Sequence, residues 1–203
     1  MTADPMPSGE RAPLSWPVPP PRGYFAEDLD HLSELPPHTQ LIDGSLVFVS
    51  PQMRFHLLVI TFLHVQLMRQ APEGFDSIRE MTVTLGARQR PEPDVMVVDS
   101  AGVTGLDQTT FRPEDVVLAI EVVSPDSLER DRHRKPQLYA EAGIPYFWRV
   151  ENVDGRAVVY AYELDPATQK YTTVGIHHDR LKVALPFDLD LDLTRATDPK
   201  GSA

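Results

Sequence analysis

VVLAIEVVSPDSLERDRHRKPQLYAEAGIPYFWRV, residues 116–150, is the stretch that decides the fold. Its first part, 116–123, is almost wholly apolar and rich in β-branched side chains, which predicts the central strand of a sheet. We expect the regular helix that follows to start near Lys135, because Pro136 is tolerated only in a first helical turn, and to end at Gly143. A further apolar strand follows the glycine.

The segments on either side predict a sheet flanked by helices. The pair Asp43-Gly44 lies between two apolar runs and predicts a hairpin, and the unbroken apolar segment 54–71 predicts a buried helix. The expected fold class is therefore mixed α/β (α+β), without internal repeats. We predict a short amphipathic helix at 24–35, strands adjacent to the central one at 81–85 and 93–98, and further strands at 146–150, 156–164, 170–176 and 180–185.

Length and composition indicate one globular domain with a terminal segment at each end. The chain has 203 residues, of which 41% are hydrophobic, enough for one sizeable core. Many of its 20 prolines lie near the start, where little can be buried. We expect a flexible, proline-rich tail at 1–23, a single domain at 24–195 and a disordered end at 196–203.

Charge and composition exclude several functional classes. The formal net charge of −11 at pH 7 rules out attraction of the whole surface to nucleic acid or anionic membranes, so a polyanion needs a local basic patch. The absence of cysteine excludes disulfides and thiolate chemistry. No apolar run approaches the ~18 residues of a membrane helix, and the start does not resemble a signal peptide. We expect a cytoplasmic protein without a membrane partner.

Two carboxylates have surroundings that require an explanation. Asp94 precedes a predicted strand, and Glu121 lies inside an apolar one, where an isolated charge would be costly. If the two strands are neighbours, the side chains lie roughly 5 Å apart and could share a divalent cation, for which oxygen ligands favour Mg²⁺ or Mn²⁺. The alternative is that Asp94 is a turn residue and that Glu121 pairs with a nearby arginine.

A cationic segment follows the Glu121 strand. The residues ERDRHRK (129–135) include three arginines and one lysine. Such a segment suits a phosphodiester substrate, because arginines hold phosphates and a lysine can orient the attacking water. Arg130, Arg132 and Arg134 are the phosphate-binding candidates. The alternative is a helix face that is simply solvated.

Four parts of the sequence together resemble a known family. They are QLIDGSLVFVSP (40–51), His56 near the start of a helix, RPEPDVMVVD (90–99) and IEVVSPDSLERDRHRKPQLYAEAGIPYFWRVE (120–151). These strings are similar to the Uma-type family of endonucleases, a branch of the PD-(D/E)xK, restriction-endonuclease-like superfamily, over roughly 35–193. The resemblance implies a mixed central sheet flanked by helices. It also implies a Mg²⁺- or Mn²⁺-dependent endonuclease acting on nucleic acid, with DNA as the expected substrate.

The resemblance also assigns the principal site residues. Asp94 and Glu121 match the two acidic residues of the motif, and with the backbone carbonyl of Val122 they would hold the metal. The superfamily's usual lysine lies two residues after the second acid, where this chain has Val123. In the Uma-type pattern the lysine lies on the following helix, which makes Lys135 the catalytic lysine.

Three auxiliary positions complete the implied site. Asp131 would orient Lys135 or a neighbouring arginine. Gln40 stands where the family usually has glutamate, and an amide oxygen is a poorer metal ligand than a carboxylate. His56 would contact the scissile phosphate or a water near it. The alternative for His56 is a helix-start histidine bonded to a neighbouring carbonyl.

Other functions stay open at this point. Gln40 favours a nucleic-acid-binding or interaction module whose active site has decayed, and a hydrolase of another phosphoester is also compatible. A homodimer would suit cleavage of both strands, with the aromatic residues 146–148 as contact area, although core packing explains them equally well. His177-His178 lacks ligands at metal spacing, and strand alternation explains the acids at 188–193 better than a calcium loop does.

Overall fold

The computed structural model describes residues 18–32 and 34–200. Most of the predicted tail, 1–17, and the final residues 201–203 lie outside the described residues. The elements are β1 (Gln40–Ile42), β2 (Ser45–Val47), α1 (Arg54–Gln70), β3 (Phe75–Arg79), β4 (Thr82–Val83), β5 (Val95–Asp99), β6 (Thr110–Phe111), β7 (Val116–Val122), α2 (Lys135–Glu141), β8 (Tyr146–Val153), β9 (Arg156–Asp165), β10 (Lys170–His177), β11 (Arg180–Val183) and β12 (Leu189–Asp192).

A six-stranded mixed sheet forms the centre of the domain, with strand order β10-β9-β8-β7-β5-β3. β7 lies between β5 and β8, which confirms its predicted central position. β7 and β8 are parallel, with Ile120 opposite Trp148, and α2 lies in the crossover that a parallel pair requires. The other neighbouring strands of this sheet are antiparallel. The stretch 116–150 therefore forms one β-α-β unit in the middle of the fold.

The two faces of β7 bury alternate side chains against different helices. Leu118 and Ile120 pack with the buried face of α1 and with the β11–β12 hairpin. Ala119 points to the opposite face and packs with Tyr139 of α2 and with Phe147 of β8. Because side chains alternate along a strand, Glu121 lies on the same face as Ala119 and is directed toward α2.

Local turn chemistry agrees with the sequence. Asp43 and Gly44 have φ values of 54° and 73° in the turn between β1 and β2, as an Asp-Gly hairpin requires. α2 starts at Lys135, as predicted, and a π-helical turn (Arg130–Arg134) leads into it, with the Lys135 N–H donating to the Arg130 carbonyl.

Two sequence predictions are wrong in detail. The segment 24–35 forms only a 3₁₀ turn (Ala26–Asp30) among its described residues, because so short a segment gains more from burying Tyr24 and Ala26 against Leu41 than from extending a helix. The predicted strand 81–85 contains only β4, which pairs with β6 in a separate sheet. The strand beside β5 is instead β3, whose polar sequence gives little strand signal because it lies at an edge of the sheet.

Other predictions are settled by burial. Phe147 and Trp148 are 1% and 2% exposed, so core packing explains them. Leu189 and Leu191 are buried while Asp190 and Asp192, which alternate with them, are exposed, which confirms strand alternation in β12. Ala196 is also buried in the core. Within the described ranges, no helix combines the length and apolar character needed to cross a membrane.

Candidate active site

A cavity of about 500 Å³ opens at the carboxyl end of β7. Its walls come from parts of the chain that are distant in sequence: the loop after the β1–β2 hairpin, the start of α1, the segment before β5 and the π-helical turn. Most of the candidates predicted from the sequence line this cavity, namely Gln40, His56, Asp94, Glu121, Val122, Arg130, Asp131 and Lys135.

Glu121 is held by two donors from α2. Lys135 Nζ donates to its Oε2 at 2.8 Å, and the hydroxyl of Tyr139 donates to its Oε1 at 2.5 Å. Glu121 and Lys135 are only 1% and 3% exposed, and this bonding allows the carboxylate to lie within an apolar strand. The buried partners of Glu121 in the structure are therefore a lysine and a tyrosine, and the alternative of an arginine partner is wrong.

Asp94 lies beside Glu121, immediately before β5. Val95 is opposite Ile120 in the register of β5 and β7, which confirms that the two strands are neighbours. Asp94 Oδ2 accepts from the backbone N–H of Val122 at 2.6 Å. This bond ties the start of β5 to the end of β7. Oδ1 of Asp94 forms no hydrogen bond with any described residue.

His56 lies in the first turn of α1 and contacts Asp94. Its Nε2 is 3.1 Å from Asp94 Oδ2, whereas its Nδ1 is buried without a hydrogen-bond partner among the described residues. Burial lowers the pKa of His56, but the hydrogen bond and charge of Asp94 outweigh burial, so that the pKa is raised. Its partner is therefore a carboxylate, not the neighbouring carbonyl considered as an alternative.

Asp131 approaches the same lysine from the π-helical turn. Its Oδ1 is 3.7 Å from Lys135 Nζ, and the side chain is almost fully buried. Burial raises the pKa of Asp131, and the charge of Lys135 opposes that effect. Lys135 also donates to the backbone carbonyl of Glu92 at 3.1 Å. The ammonium is thus held between three oxygens from three different segments.

The charges in the cavity are strongly coupled. Burial raises the pKa of Glu121 well above its ordinary value; Lys135 opposes this, and Asp131 and Asp94 reinforce it. Burial lowers the pKa of Lys135, but the same three carboxylates outweigh burial and raise it. The two directions are compatible, because three carboxyl groups surround one ammonium. Each carboxyl group stabilises the ammonium of Lys135 and disfavours a negative charge on its carboxyl neighbours.

Gln40 has a structural contact at the edge of the cavity. Its Oε1 accepts from the backbone N–H of Glu92 at 3.2 Å, which ties β1 to the segment before β5. The side chain of Glu92 bonds to His38, with 2.6 Å between Oε1 and Nδ1. Burial raises the pKa of Glu92, and His38 opposes that effect. At position 40 the cavity is therefore lined by a neutral amide and not by the carboxylate that the family usually has.

The three arginines of the cationic segment point in different directions. Arg130 lines the cavity. Arg132 pairs with Glu151 of β8, and Arg134 pairs with Asp43 in the hairpin turn. Successive residues of a helical segment face different sides, so the structure brings only one of the three predicted phosphate ligands to the cavity.

Sequence reasoning missed Tyr139 as a site residue and treated it as an apolar residue of an amphipathic helix. The available signal was its spacing of four residues from Lys135, which places both on one face of α2. Glu92 was also missed, because its contribution to Lys135 is a backbone carbonyl, which any residue type could supply.

The residues fit a hard divalent cation by charge and by donor type. Glu80, Glu92, Asp94, Glu121 and Asp131 all line the cavity, and carboxylate oxygens suit Mg²⁺ and Mn²⁺. Each bonded oxygen of Glu121 keeps a second acceptor position, and Oδ1 of Asp94 is available. Among the described residues, no group of three or more His, Asp or Glu side chains converges closely enough to hold a metal alone. A cation bound here would therefore need water or substrate oxygens to complete its coordination.

Comparison with solved structures defines the fold class. A "putative nuclease belonging to DUF820" from Anabaena variabilis ATCC 29413 is similar with a TM-score of 0.64 at 16% sequence identity, over 84% of this chain and 96% of that chain. At this identity the similarity shows the fold, which is a restriction-endonuclease-like core with a mixed central sheet.

The family follows from the sequence match. Residues 26–196 match the model of the Uma2 family, described as "Putative restriction endonuclease". The match spans most of the chain, so the protein belongs to the Uma2 family, as its motifs predict. No curated protein matches the chain.

Proposed function

We propose that this protein is an endonuclease that hydrolyses phosphodiester bonds of nucleic acid in the cavity at the end of β7. The observation that carries the proposal is the convergence of Asp94 and Glu121, from neighbouring strands, with the buried ammonium of Lys135. Membership of the Uma2 family supports the same class of reaction. DNA is the proposed substrate.

Each side chain has a role that its position supports. Lys135 is the group to orient the attacking water and to stabilise charge that develops on the phosphate. Asp131 and the carbonyl of Glu92 position the ammonium of Lys135. Arg130 lines the cavity and is the proposed ligand of the scissile phosphate.

Asp94 and Glu121, with the carbonyl of Val122, are the proposed ligands of Mg²⁺ or Mn²⁺. When bound, such a cation lowers the pKa of a coordinated water and offsets the charge of the phosphate. The protein's part is to hold Asp94 through the Val122 N–H and to hold Glu121 through Tyr139 and Lys135. His56 contacts the same oxygen of Asp94 that accepts from the Val122 N–H, and so helps to hold this carboxylate.

The net negative charge of the chain limits the affinity that we expect for nucleic acid. At −11, the protein repels a polyanion at long range. Tight nonspecific binding comes from many phosphate contacts, and the cavity supplies few. We therefore propose that intrinsic substrate binding is weak and depends on salt.

The direct test is a cleavage assay with supercoiled plasmid, single-stranded DNA and RNA, each with Mg²⁺ or Mn²⁺. The variants are Asp94→Asn, Glu121→Gln and Lys135→Ala, and the control is Asp154→Asn, an acid-to-amide change at the exposed β8–β9 turn. We expect each site variant to lose about 100-fold or more in rate, and the control to match the wild type. Cleavage that survives all three site substitutions would refute the site.

A binding module with a decayed active site is the second candidate. It is favoured by the neutral side chain of Gln40 and by the fact that both oxygens of Glu121 are already bonded within the protein. Titration calorimetry with Mn²⁺ separates the two functions. The nuclease should bind Mn²⁺ saturably and lose binding in Glu121→Gln, whereas the decayed module should give no saturable heat.

A further inference from the structure

A second groove lies on the other side of α2 from the active-site cavity. It occupies about 610 Å³ between the helical segment 132–141 and strands β8, β9 and β10. Arg132, which does not reach the cavity, lines this groove together with Arg149 and Lys170. The two sites therefore share one wall, with Asp131 and Lys135 on one side of it and Arg132 on the other.

The groove is cationic within an acidic protein. Arg132 Nε and Arg149 Nε lie 3.0 Å and 2.9 Å from the same oxygen of Glu151. Arg132 also donates through its Nη2 to the other oxygen of Glu151, whereas Arg149 Nε makes a close ionic contact without hydrogen-bond geometry. One carboxylate therefore faces two guanidinium groups and balances the charge of only one. Lys170 at the rim is exposed and adds a positive charge, and Glu141 is the acid of the lining. The balance is positive, although the chain carries −11 overall.

Aromatic rings form the floor of the groove. Phe147 stacks with Tyr162 at 5.6 Å and with Tyr171 at 5.5 Å between ring centroids. The guanidinium of Arg149 lies 5.7 Å from the ring centroid of Tyr162. Tyr162 and Tyr171 are partly exposed. Planar groups beside cations are the combination on which single-stranded nucleic acids bind, since bases stack on the planar groups and phosphates meet the cations.

We propose that this groove binds a single-stranded nucleic-acid segment, with phosphates at Arg132 and Lys170 and a base stacked against Tyr162. The inference rests on the proposed nuclease function, because the strand bound here is a part of the substrate away from the scissile bond. A single strand is favoured over a duplex, since the faces of paired bases are covered by their neighbours. The groove adds phosphate contacts to the few that the acidic cavity supplies.

The test is fluorescence anisotropy with a labelled single-stranded 12-mer of mixed sequence, in EDTA so that no metal-dependent cleavage occurs. Lys170→Glu removes a phosphate contact, and Lys182→Glu on the exposed side of β11 is the matched control. We expect Lys170→Glu to weaken binding about tenfold and to reduce the slope of log K against log salt by about 0.7. Tyr162→Leu should weaken binding about tenfold without changing that slope.

Three results would overturn the inference: no binding by the wild type, equal effects of Lys170→Glu and Lys182→Glu, or tighter binding of a duplex of the same sequence. If the groove instead holds a second copy of this chain, Lys170→Glu will change the mass measured by light scattering and leave DNA binding unchanged, which also refutes it.

A small substrate separates catalysis in the cavity from binding in the groove. Hydrolysis of bis(4-nitrophenyl) phosphate, a diester too small to span both sites, reports on the cavity alone. We expect it to depend on Lys135 and to be unaffected by Lys170→Glu or Tyr162→Leu. A loss of hydrolysis in the groove variants would contradict a separate binding groove.

Discussion

The candidate active-site cavity and the cationic groove lie on opposite sides of one helical segment. They differ in how deeply their charged side chains are buried. In the cavity, Glu121, Asp131 and Lys135 are buried. Glu121 and Lys135 bond to each other, whereas Asp131 Oδ1 lies 3.7 Å from Lys135 Nζ and has no hydrogen-bond partner among the described residues. In the groove, His133 and Lys170 are exposed and Arg132 is partly so. Removing a charge from the cavity should therefore lower the stability of the fold as well as impair the chemistry. Removing an exposed charge from the groove should alter binding alone.

The strongest test of this contrast is Lys135→Met, which keeps the length of the side chain and removes its charge. It leaves the carboxylates of Glu121 and Asp131 buried without a counterion, so we expect a loss of about 3–5 kcal/mol in the free energy of unfolding. Urea denaturation measures this. Lys170→Met is the control and should stay within about 0.5 kcal/mol of the wild type. Equal stabilities of the two variants would contradict the contrast.

Tyr139→Phe separates the hydrogen bond from the packing of the ring. The phenyl ring keeps its contact with Phe147, whose centroid is 6.0 Å away, but Glu121 Oε1 loses its donor. We expect a loss of about 1–3 kcal/mol in stability. We also expect weaker Mn²⁺ binding by calorimetry, because the orientation of Glu121 is less restricted. Tyr162→Phe in the groove should change neither quantity, and an unaltered Mn²⁺ affinity in Tyr139→Phe would exclude a positioning role.

Gln40→Glu sharpens the comparison by making the cavity still more acidic. The new carboxylate can accept from the Glu92 N–H as the amide does, and it adds a hard oxygen ligand. We expect Mn²⁺ affinity to rise by about tenfold, or about 1.4 kcal/mol. Without metal, the added buried charge should lower the melting temperature. If Mn²⁺ changes the melting temperature of the variant and of the wild type by the same amount, this prediction is wrong.

The smallest effect is expected for the ion pair between Asp43 and Arg134, which lies outside both sites. Hydrogen bonds from Arg134 lower the pKa of Asp43, although burial opposes them. The pair therefore stabilises the fold above the ordinary pKa of an aspartate and loses this contribution as the pH falls through the lowered pKa. The side chain of Asp43 is 52% exposed, so we expect less than about 1 kcal/mol.

Asp43→Asn tests this pair without disturbing the turn, because asparagine also tolerates a φ of 54°. Stability curves from urea denaturation should differ between variant and wild type at pH 7. They should begin to converge near pH 4 and meet below the lowered pKa of Asp43. A difference that is constant with pH would show that the ion pair contributes nothing.

The sequence predicts the elements whose signal is local. The apolar run of β7, the Asp-Gly turn and the position of Pro136 determine their structures through backbone and burial preferences. β3 is not predicted because the composition of this edge strand gives little strand signal, and only its pairing with β5 identifies it. The 3₁₀ turn at Ala26–Asp30 is likewise shaped by a tertiary contact with Leu41.

The candidate site is predictable to the extent that a motif names residue types. Asp94, Glu121 and Lys135 follow from the motif, but the direction of each arginine depends on the helical phase across the π-helical turn. The sequence pattern does not reveal that phase. Tyr139 was missed because a tyrosine on an apolar helix face suits the core equally well, and only the buried oxygen of Glu121 distinguishes the two interpretations.

The β-α-β unit of residues 116–150 also has a consequence for the order of folding. The bonds from Glu121 to Lys135 and Tyr139 close loops of 14 and 18 residues, whereas the bond from Val122 to Asp94 spans 28. Shorter loops cost less chain entropy to close, so the lysine end of the site can form as part of a local nucleus. The Asp94 end of the candidate site depends on a longer chain closure and on the pairing of β5 with β7, so the two proposed metal ligands come together only where both conditions are met.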